Sequence, residues 1–441
     1  MARAHSSIAK TSNKVGLLGA FLVIVGFVIG ASIYVLPGEL FHIAGPAMAA
    51  SVLLAAAPAA LSCITAAQVS AAFPVDAANI YMTKRVLSPF WAALTAWAFI
   101  GSSVAALPLI SFGFTDYLIA LHIDLTEHRL EIALSVIALF TLINLFGAKS
   151  AAGAQTIMVL TLLAVIALFI ATSTPQISFE NFTPFAPNGV QGVFVAVVPA
   201  FFAFLGFSLI VEISGEVNSP QHTIPRALLM AFLLITVIYM MVIVTVAGVL
   251  PAEDLLSTRS PLAMTAALSA PNWVAIVVSM SALLATATTI NAIILLASRD
   301  AAAFVRLIAA PTSDKTELEP SQRRLAVILI GVAGMGSCLV SEFIGSHAVG
   351  TVLAFLIAKS IICLAVMKLP AYMGDKFANL EFHIRKPALV AVCWSMLAIT
   401  VLFIALSAKG NAPAITALAI FMVLGAGLYA IGRLLPRHNA N

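Results

Sequence analysis

Val25-Gly26-Phe27-Val28-Ile29-Gly30-Ala31-Ser32-Ile33-Tyr34 sits at mid-depth of an apolar run that begins at Val15 and continues to about residue 41. The run is long enough to cross a bilayer, which takes about 20 apolar residues. Glycine weakens a helix by about 1 kcal/mol relative to alanine, and here small residues cluster in the middle of an otherwise bulky helix. In lipid, an unwound turn survives only where its freed N–H and C=O groups find protein, water or a bound molecule. A second run, over 190–214, has the same character. It reads Phe201-Phe202-Ala203-Phe204-Leu205-Gly206-Phe207-Ser208, and both runs carry Gly-Phe at the candidate break. Paired interruptions in corresponding places mark a binding site near the membrane midplane. Close helix packing through small residues is the competing explanation.

The rest of the chain supplies a frame for these two runs. Of 441 residues, 62% are hydrophobic and 9% charged, against the roughly 25% charge of a soluble domain. The fold expected is all-α and membrane-embedded. Twelve spans are expected near 15–41, 46–73, 89–120, 130–147, 151–172, 190–214, 227–250, 262–298, 325–343, 347–367, 387–408 and 412–434. The eighth includes a loop approach at Pro271-Asn272. Val15 onward reads as a membrane helix, because a cleaved leader has a shorter core and a small-residue cleavage site. With the N-terminus inside, eighteen of the 22 Lys and Arg fall on the cytoplasmic side, Arg129, Arg259 and Lys409 fall outside, and Lys359 lies within a span. That asymmetry places both termini in the cytoplasm.

Several function classes are disfavoured. The longest polar stretch, 299–324, reads as a solvated loop and not as a domain. There is no phosphate-binding Gly-rich loop and no basic stripe with interleaved aromatics, so neither ATP-driven pumping nor nucleic-acid binding is expected. Cys63, Cys338, Cys363 and Cys393 lie singly in apolar runs and read as buried small side chains; no metal site or cofactor is expected. Two charges lie deep inside spans, Glu212 and Lys359, and intramembrane charges usually face a cavity or a partner. Glu212 follows Ser208 by four residues, which on an α-helix puts both on one face. His42 and His347, near the outer interface, read as solvated.

At this point the sequence resembles the amino acid–polyamine–organocation superfamily of permeases, over about residues 15–305. Gly30-Ala31-Ser32-Ile33-Tyr34 is similar to that family's first-helix break, and Phe202-Ala203-Phe204-Leu205-Gly206-Phe207 to its sixth-helix motif. Gly215-Glu216-Val217-Asn218-Ser219-Pro220 with Ile224-Pro225-Arg226, Ala72-Phe73-Pro74 with Tyr81, and Ser298-Arg299 match further motifs. The resemblance implies a 5+5 inverted repeat with helices 1 and 6 broken, plus two added helices. The repeats would be 15–172 and 190–367, the added pair 387–434, and the cytoplasmic tails 1–14 and 435–441. It implies N–H groups of Gly30, Ala31 and Ser32 on a substrate carboxylate, and carbonyls of Val28, Phe202 and Leu205 on its ammonium. It also implies an aromatic lid at Phe202 and a lining role for Ser102. Half-helix termini and freed carbonyls attract such charges on physical grounds as well.

The sequence departs from the family at four places. Ser32 replaces a glycine, Ser208 stands where an acid is common, Asp76-Ala77-Ala78 replaces a glycine pair, and 155–162 holds no lysine. The function expected is secondary transport of a small amino acid by alternating access, by proton coupling or substrate exchange. The substrate-contacting set is Val28, Gly30, Ala31, Ser32, Ser102, Phe202, Leu205 and Ser208, with Glu212 and Lys359 as coupling candidates. The partners expected are a small-molecule amino acid or amine, the lipid bilayer and protons. A polyamine or amine antiporter or exporter, or a non-transporting receptor on a permease scaffold, are the alternatives. No constellation at helical spacing points to an enzyme.

Overall fold

The computed structural model describes residues 15–121, 125–146, 152–310, 320–408 and 410–434. The tails 1–14 and 435–441, Lys409 and the centre of the 299–324 stretch lie outside the described residues. The first half of the chain forms α1 (Leu17–Val28), α2 (Ser32–Ala44), α3 (Met48–Ala72), α4 (Ala78–Val86), α5 (Pro89–Ile119), α6 (Arg129–Leu145) and α7 (Ala152–Ser173). Next come α8 (Gly189–Phe201), which runs into a 3-10 stretch over Phe202–Glu216, then α9 (Pro220–Val249), α10 (Ala252–Ser257), α11 (Pro261–Ser269) and α12 (Asn272–Ala309). The chain ends with α13 (Pro320–Leu339), α14 (Ser341–Ile344), α15 (His347–Met373), α16 (Asp375–Ala378), α17 (Lys386–Ser407) and α18 (Ala412–Leu434).

Among the described residues eleven stretches are long and apolar enough to cross a membrane. One of them joins α2 to α3 through a turn at Gly45, whose φ of +61° a side chain would strain. With α1 and α2 taken as one interrupted crossing, the count is the twelve expected. Proline opens α5, α9 and α11, where its missing N–H is no loss. The lipid-facing surface is apolar: on α9, exposed Leu229, Leu233, Val237 and Met241 recur every four residues.

Two expectations about boundaries are corrected. Helix α12 runs on to Ala309, so Arg299 and Arg306 are helical and not part of a loop. The sequence after Ser298 is Arg-Asp-Ala-Ala-Ala-Phe-Val-Arg, rich in good helix formers. The short helix α4, between the second and third spans, is not foreseen from hydropathy because it is not long enough to span.

The main core cluster is one in which α5, α12 and α15 pack together and α3 packs against α8, α9 and the 3-10 stretch, and a smaller one lies between α5 and the end of α12 around Ala93, Ala96 and Phe304. At the centre of the main cluster the two interrupted helices touch. A Cβ on Gly206 would lie 2.4 Å from the Phe27 carbonyl oxygen and 2.8 Å from the Val28 nitrogen. Only glycine permits this approach of backbone to backbone. Gly206→Ala is expected to destabilise the protein by about 1–3 kcal/mol, the usual effect of overpacking, read as a lowered melting temperature in detergent. Gly427→Ala, where a Cβ meets nothing within 4 Å, serves as the control and should leave it unchanged.

Candidate functional site

The first break occupies Ile29-Gly30-Ala31, between the end of α1 and the start of α2. Ile29 has left helical geometry, with φ −81° and ψ 70°. The polar groups freed there meet side chains from two other helices. The Ala31 N–H donates to Thr289 Oγ1 at 3.2 Å. The Val28 carbonyl accepts from the Tyr239 hydroxyl at 2.7 Å, and Ser32 Oγ lies 2.9 Å from the same hydroxyl. Gly30 faces Thr289 so closely that a Cβ would come within 2.5 Å of its hydroxyl. Outward along α2, Tyr34 is held through its hydroxyl by Ser281 at 2.8 Å, and its carbonyl accepts from Tyr117 at 3.0 Å. Helix α12 therefore grips the first helix at two points, through Ser281 and Thr289.

The second break has a different form from the unwound turn expected at Gly206. The α-helix ends at Phe201, and the chain continues as 3-10 helix for fifteen residues, interrupted only at Ile213 with φ −120° and ψ 19°. Runs of 3-10 beyond three or four residues are uncommon, and inside a helix they often mark a hinge. The tighter winding changes which residues share a face. At three residues per turn, Ser208 and Glu212 are rotated apart by about 120° and do not share one face. Ser208 Oγ pairs with Ser62 Oγ on α3 at 3.0 Å, while Glu212 Oε1 accepts from Asn79 Nδ2 on α4 at 3.0 Å.

Beside the contact of the two breaks lies a small cavity of about 10 Å³, lined by Ser32, Leu36, Ala203, Tyr239 and Ile243 among others. That holds about one water, against the roughly 300–1,000 Å³ of a ligand pocket. The helices are closed on one another here, so any larger occupant requires them to separate. Phe202 is buried and Leu205 half-buried where the 3-10 stretch begins. Ser102 is tied to another helix. It donates to the Thr351 carbonyl at 3.0 Å and so ties α5 to α15.

Below the breaks the chain is stitched shut. The Val15 N–H donates to the Glu216 carbonyl at 2.9 Å, and the Asn218 N–H to the Val15 carbonyl at 2.8 Å. Ser214 Oγ donates to the Val75 carbonyl at 2.7 Å, and the Ala77 N–H to the Glu212 carbonyl at 3.2 Å. Lys359 is fully buried at the middle of α15. Its Nζ meets Thr65 Oγ1 at 3.5 Å and lies 5.8 Å from the Phe355 ring centroid. Three thiols, Cys63, Cys363 and Cys393, and Glu212 are within its electrostatic reach. Among the described residues no salt bridge joins it to Glu212. His347 differs from the solvated group expected, since both its ring nitrogens are buried without a hydrogen-bond partner among the described residues.

Thus Val28, Gly30, Ala31 and Ser32 form or flank the first break, Phe202, Leu205 and Ser208 belong to the 3-10 stretch that meets it at Gly206, and Ser102 links α5 to α15. The groups missing from the sequence reading are Tyr239, Thr289, Ser62 and Asn79. The signal was present in part: Tyr239 and Thr289 are polar residues at mid-depth of apolar helices.

Residues 15–428 match the amino acid permease family. The chain belongs to that family. Its relatives include a branched-chain amino acid permease of Bacillus subtilis, 29% identical over 64% of this chain and 66% of the relative. A methylthioribose transporter of the same organism is 27% identical over 66% of this chain and 67% of its own length. A vacuolar cationic amino acid transporter of Arabidopsis thaliana is 28% identical over 81% of this chain and 61% of its own. The matched part is thus about two thirds or less of these relatives' length. Family membership fits the geometry: a multi-pass membrane permease with two interrupted helices meeting at its core.

Proposed function

We propose that this permease is a secondary active transporter of a small amino acid, working by alternating access with proton coupling or substrate exchange. The observation that carries the reading is the crossing of the two breaks at Gly206, with freed backbone groups of the first turned toward hydroxyls and not toward lipid. Names of relatives that refer to branched-chain and cationic amino acids support the substrate class. In this reading the N–H groups of Gly30, Ala31 and Ser32 bind the carboxylate, and the carbonyls of Val28, Phe202 and Leu205 bind the ammonium. The Phe202 ring closes over the substrate, and Ser208 borders it. An anion at freed N–H groups and a cation at freed carbonyls are each favoured electrostatically.

The two repeats proposed, 15–172 and 190–367, move against one another around this point, with 387–434 as the added pair. The Lys and Arg asymmetry supports a cytoplasmic membrane location with both termini inside. A tag at Asn441 reactive only after permeabilisation, and one between Pro251 and Ser260 reactive on intact cells, is the expected pattern; the opposite pattern rejects the orientation.

The site is tested by uptake of labelled L-leucine, L-alanine and L-arginine into liposomes carrying the purified protein. Gly30→Leu places a branched side chain against Thr289 and should abolish uptake and binding together. Normal transport by this variant would mean that the carboxylate is held elsewhere.

For coupling we favour Glu212, which lies on the proposed release side beside Arg299 and Asp76. Lys359 is the alternative. Glu212→Gln keeps an acceptor for Asn79 and should keep the fold and the exchange of internal for external substrate. It should lose the extra uptake that an inward proton gradient drives. Unchanged gradient-driven uptake would assign coupling to another group.

A further inference from the structure

Both poles of the first break are filled by the protein's own hydroxyls. Thr289 donates its hydroxyl hydrogen to the Ala285 carbonyl of its own helix at 2.7 Å. Its lone pairs are therefore the part that faces the break, and they accept from the Ala31 N–H. Chemically it stands there as an acceptor oxygen. Tyr239 has the opposite role. Its hydroxyl donates to the Val28 carbonyl at 2.7 Å, and Ser32 Oγ lies 2.9 Å from that hydroxyl and 3.4 Å from the same carbonyl. It stands there as a donor. The ring of Tyr239 is held edge-on by Phe204 of the 3-10 stretch, with centroids 5.6 Å apart. The donor therefore belongs jointly to both broken helices.

We propose that Thr289 and Tyr239 are internal stand-ins for the two charged ends of the cargo: an acceptor where a carboxylate would sit and a donor where an ammonium would sit. The assignment rests on the transport reading above. It adds that the break closes with its exposed N–H and carbonyl satisfied when no cargo is bound. In a water-poor membrane interior, leaving such groups bare is costly. With the hydroxyls in place, loading exchanges hydrogen bonds already present for those of the cargo. The carrier can then cross back unloaded, and net uptake does not require cargo on the return step.

The test separates net movement from exchange in liposomes. Wild type, Tyr239→Phe, Thr289→Val and Thr289→Ser are each assayed with whichever of labelled leucine, alanine or arginine the wild type exchanges fastest. Net uptake is measured into vesicles lacking internal amino acid, and exchange into vesicles preloaded with the unlabelled compound. Exchange needs only the loaded carrier to cross, so the ratio of net uptake to exchange reports the unloaded return. Tyr239→Phe and Thr289→Val are expected to lower that ratio about tenfold, the effect of one buried hydrogen bond. Thr289→Ser, which restores the hydroxyl, should keep the wild-type ratio. A merely structural role would lower both activities together and leave the ratio unchanged, and that result overturns the proposal. Should Tyr239→Phe fail to fold, Thr289→Val decides alone, since valine preserves the shape of threonine. A wild type that exchanges none of the three amino acids overturns the transport reading, and this inference with it.

Discussion

The close approach of Gly206 to the backbone of Phe27 and Val28 sets the geometry of the whole interior. No side chain separates the two interrupted helices at that point, so the end of α1 and the 3-10 stretch are held at backbone distance. From that contact, Phe202 and Leu205 are carried to one side of the first break and Ser208 toward α3. Phe204 reaches the ring of Tyr239, which in turn reaches Val28. A side chain at position 206 would push the first break away from the groups that satisfy it, and those groups come from elements far apart in sequence.

Lipid makes this interlocking necessary. A helix interrupted in water finds solvent for its freed amide and carbonyl groups, whereas one interrupted in a bilayer must find protein. Here the backbone partners are hydroxyls, Thr289 and Tyr239 at the break and Tyr117 on α2, and further hydroxyl pairs, Ser281 with Tyr34 and Ser62 with Ser208, join the side chains. A hydroxyl both donates and accepts and rotates to suit, so it can let go of one partner and take another without leaving a charge behind. Charge is kept further from the crossing. Glu212 is anchored to Asn79 near the stitched end of the 3-10 stretch, and Lys359 is sunk in α15 beside Thr65 and three thiols.

The helical architecture was largely legible because the bilayer imposes it: span length and apolar composition are linear properties of a sequence. The first break was legible in part: the small residues from Gly26 to Ser32 mark a weak point, but Gly26-Phe27 stays helical in α1 and the turn falls at Ile29-Gly30-Ala31. The form of the second was not. An α-helix and a 3-10 helix draw on the same apolar residues, so Phe-Leu-Gly-Phe-Ser indicates a weak point without indicating that the chain winds tighter for fifteen residues. That winding is what separates Ser208 from Glu212. The contact that Ser102 makes was hidden for a related reason. A serine in a long helix reveals its face only once the partner helix is known, and its partner is the Thr351 carbonyl on α15. Tyr239 and Thr289 were passed over because a lone tyrosine or threonine among aliphatic residues reads as packing, and the chain is folded by more than 200 residues between Val28 and either of them.

The stitched end of the 3-10 stretch meets one residue at odds with its backbone. Ala77 sits at φ +52°, the left-handed region, in the stretch where the sequence carries Asp76-Ala77-Ala78 and where Gly215 lies hard against Asp76. An alanine held there costs about 1–2 kcal/mol relative to ordinary helical geometry. Its N–H is nonetheless bound to Glu212, and Val75 just before it is bound to Ser214. The hydrogen bonds that join the 3-10 stretch to this turn are the same ones that hold it in its uncomfortable shape. Strain and contact are thus one balance: the cost of the Ala77 backbone is carried by the same hydrogen bonds that fix the 3-10 stretch beside the end of the second span.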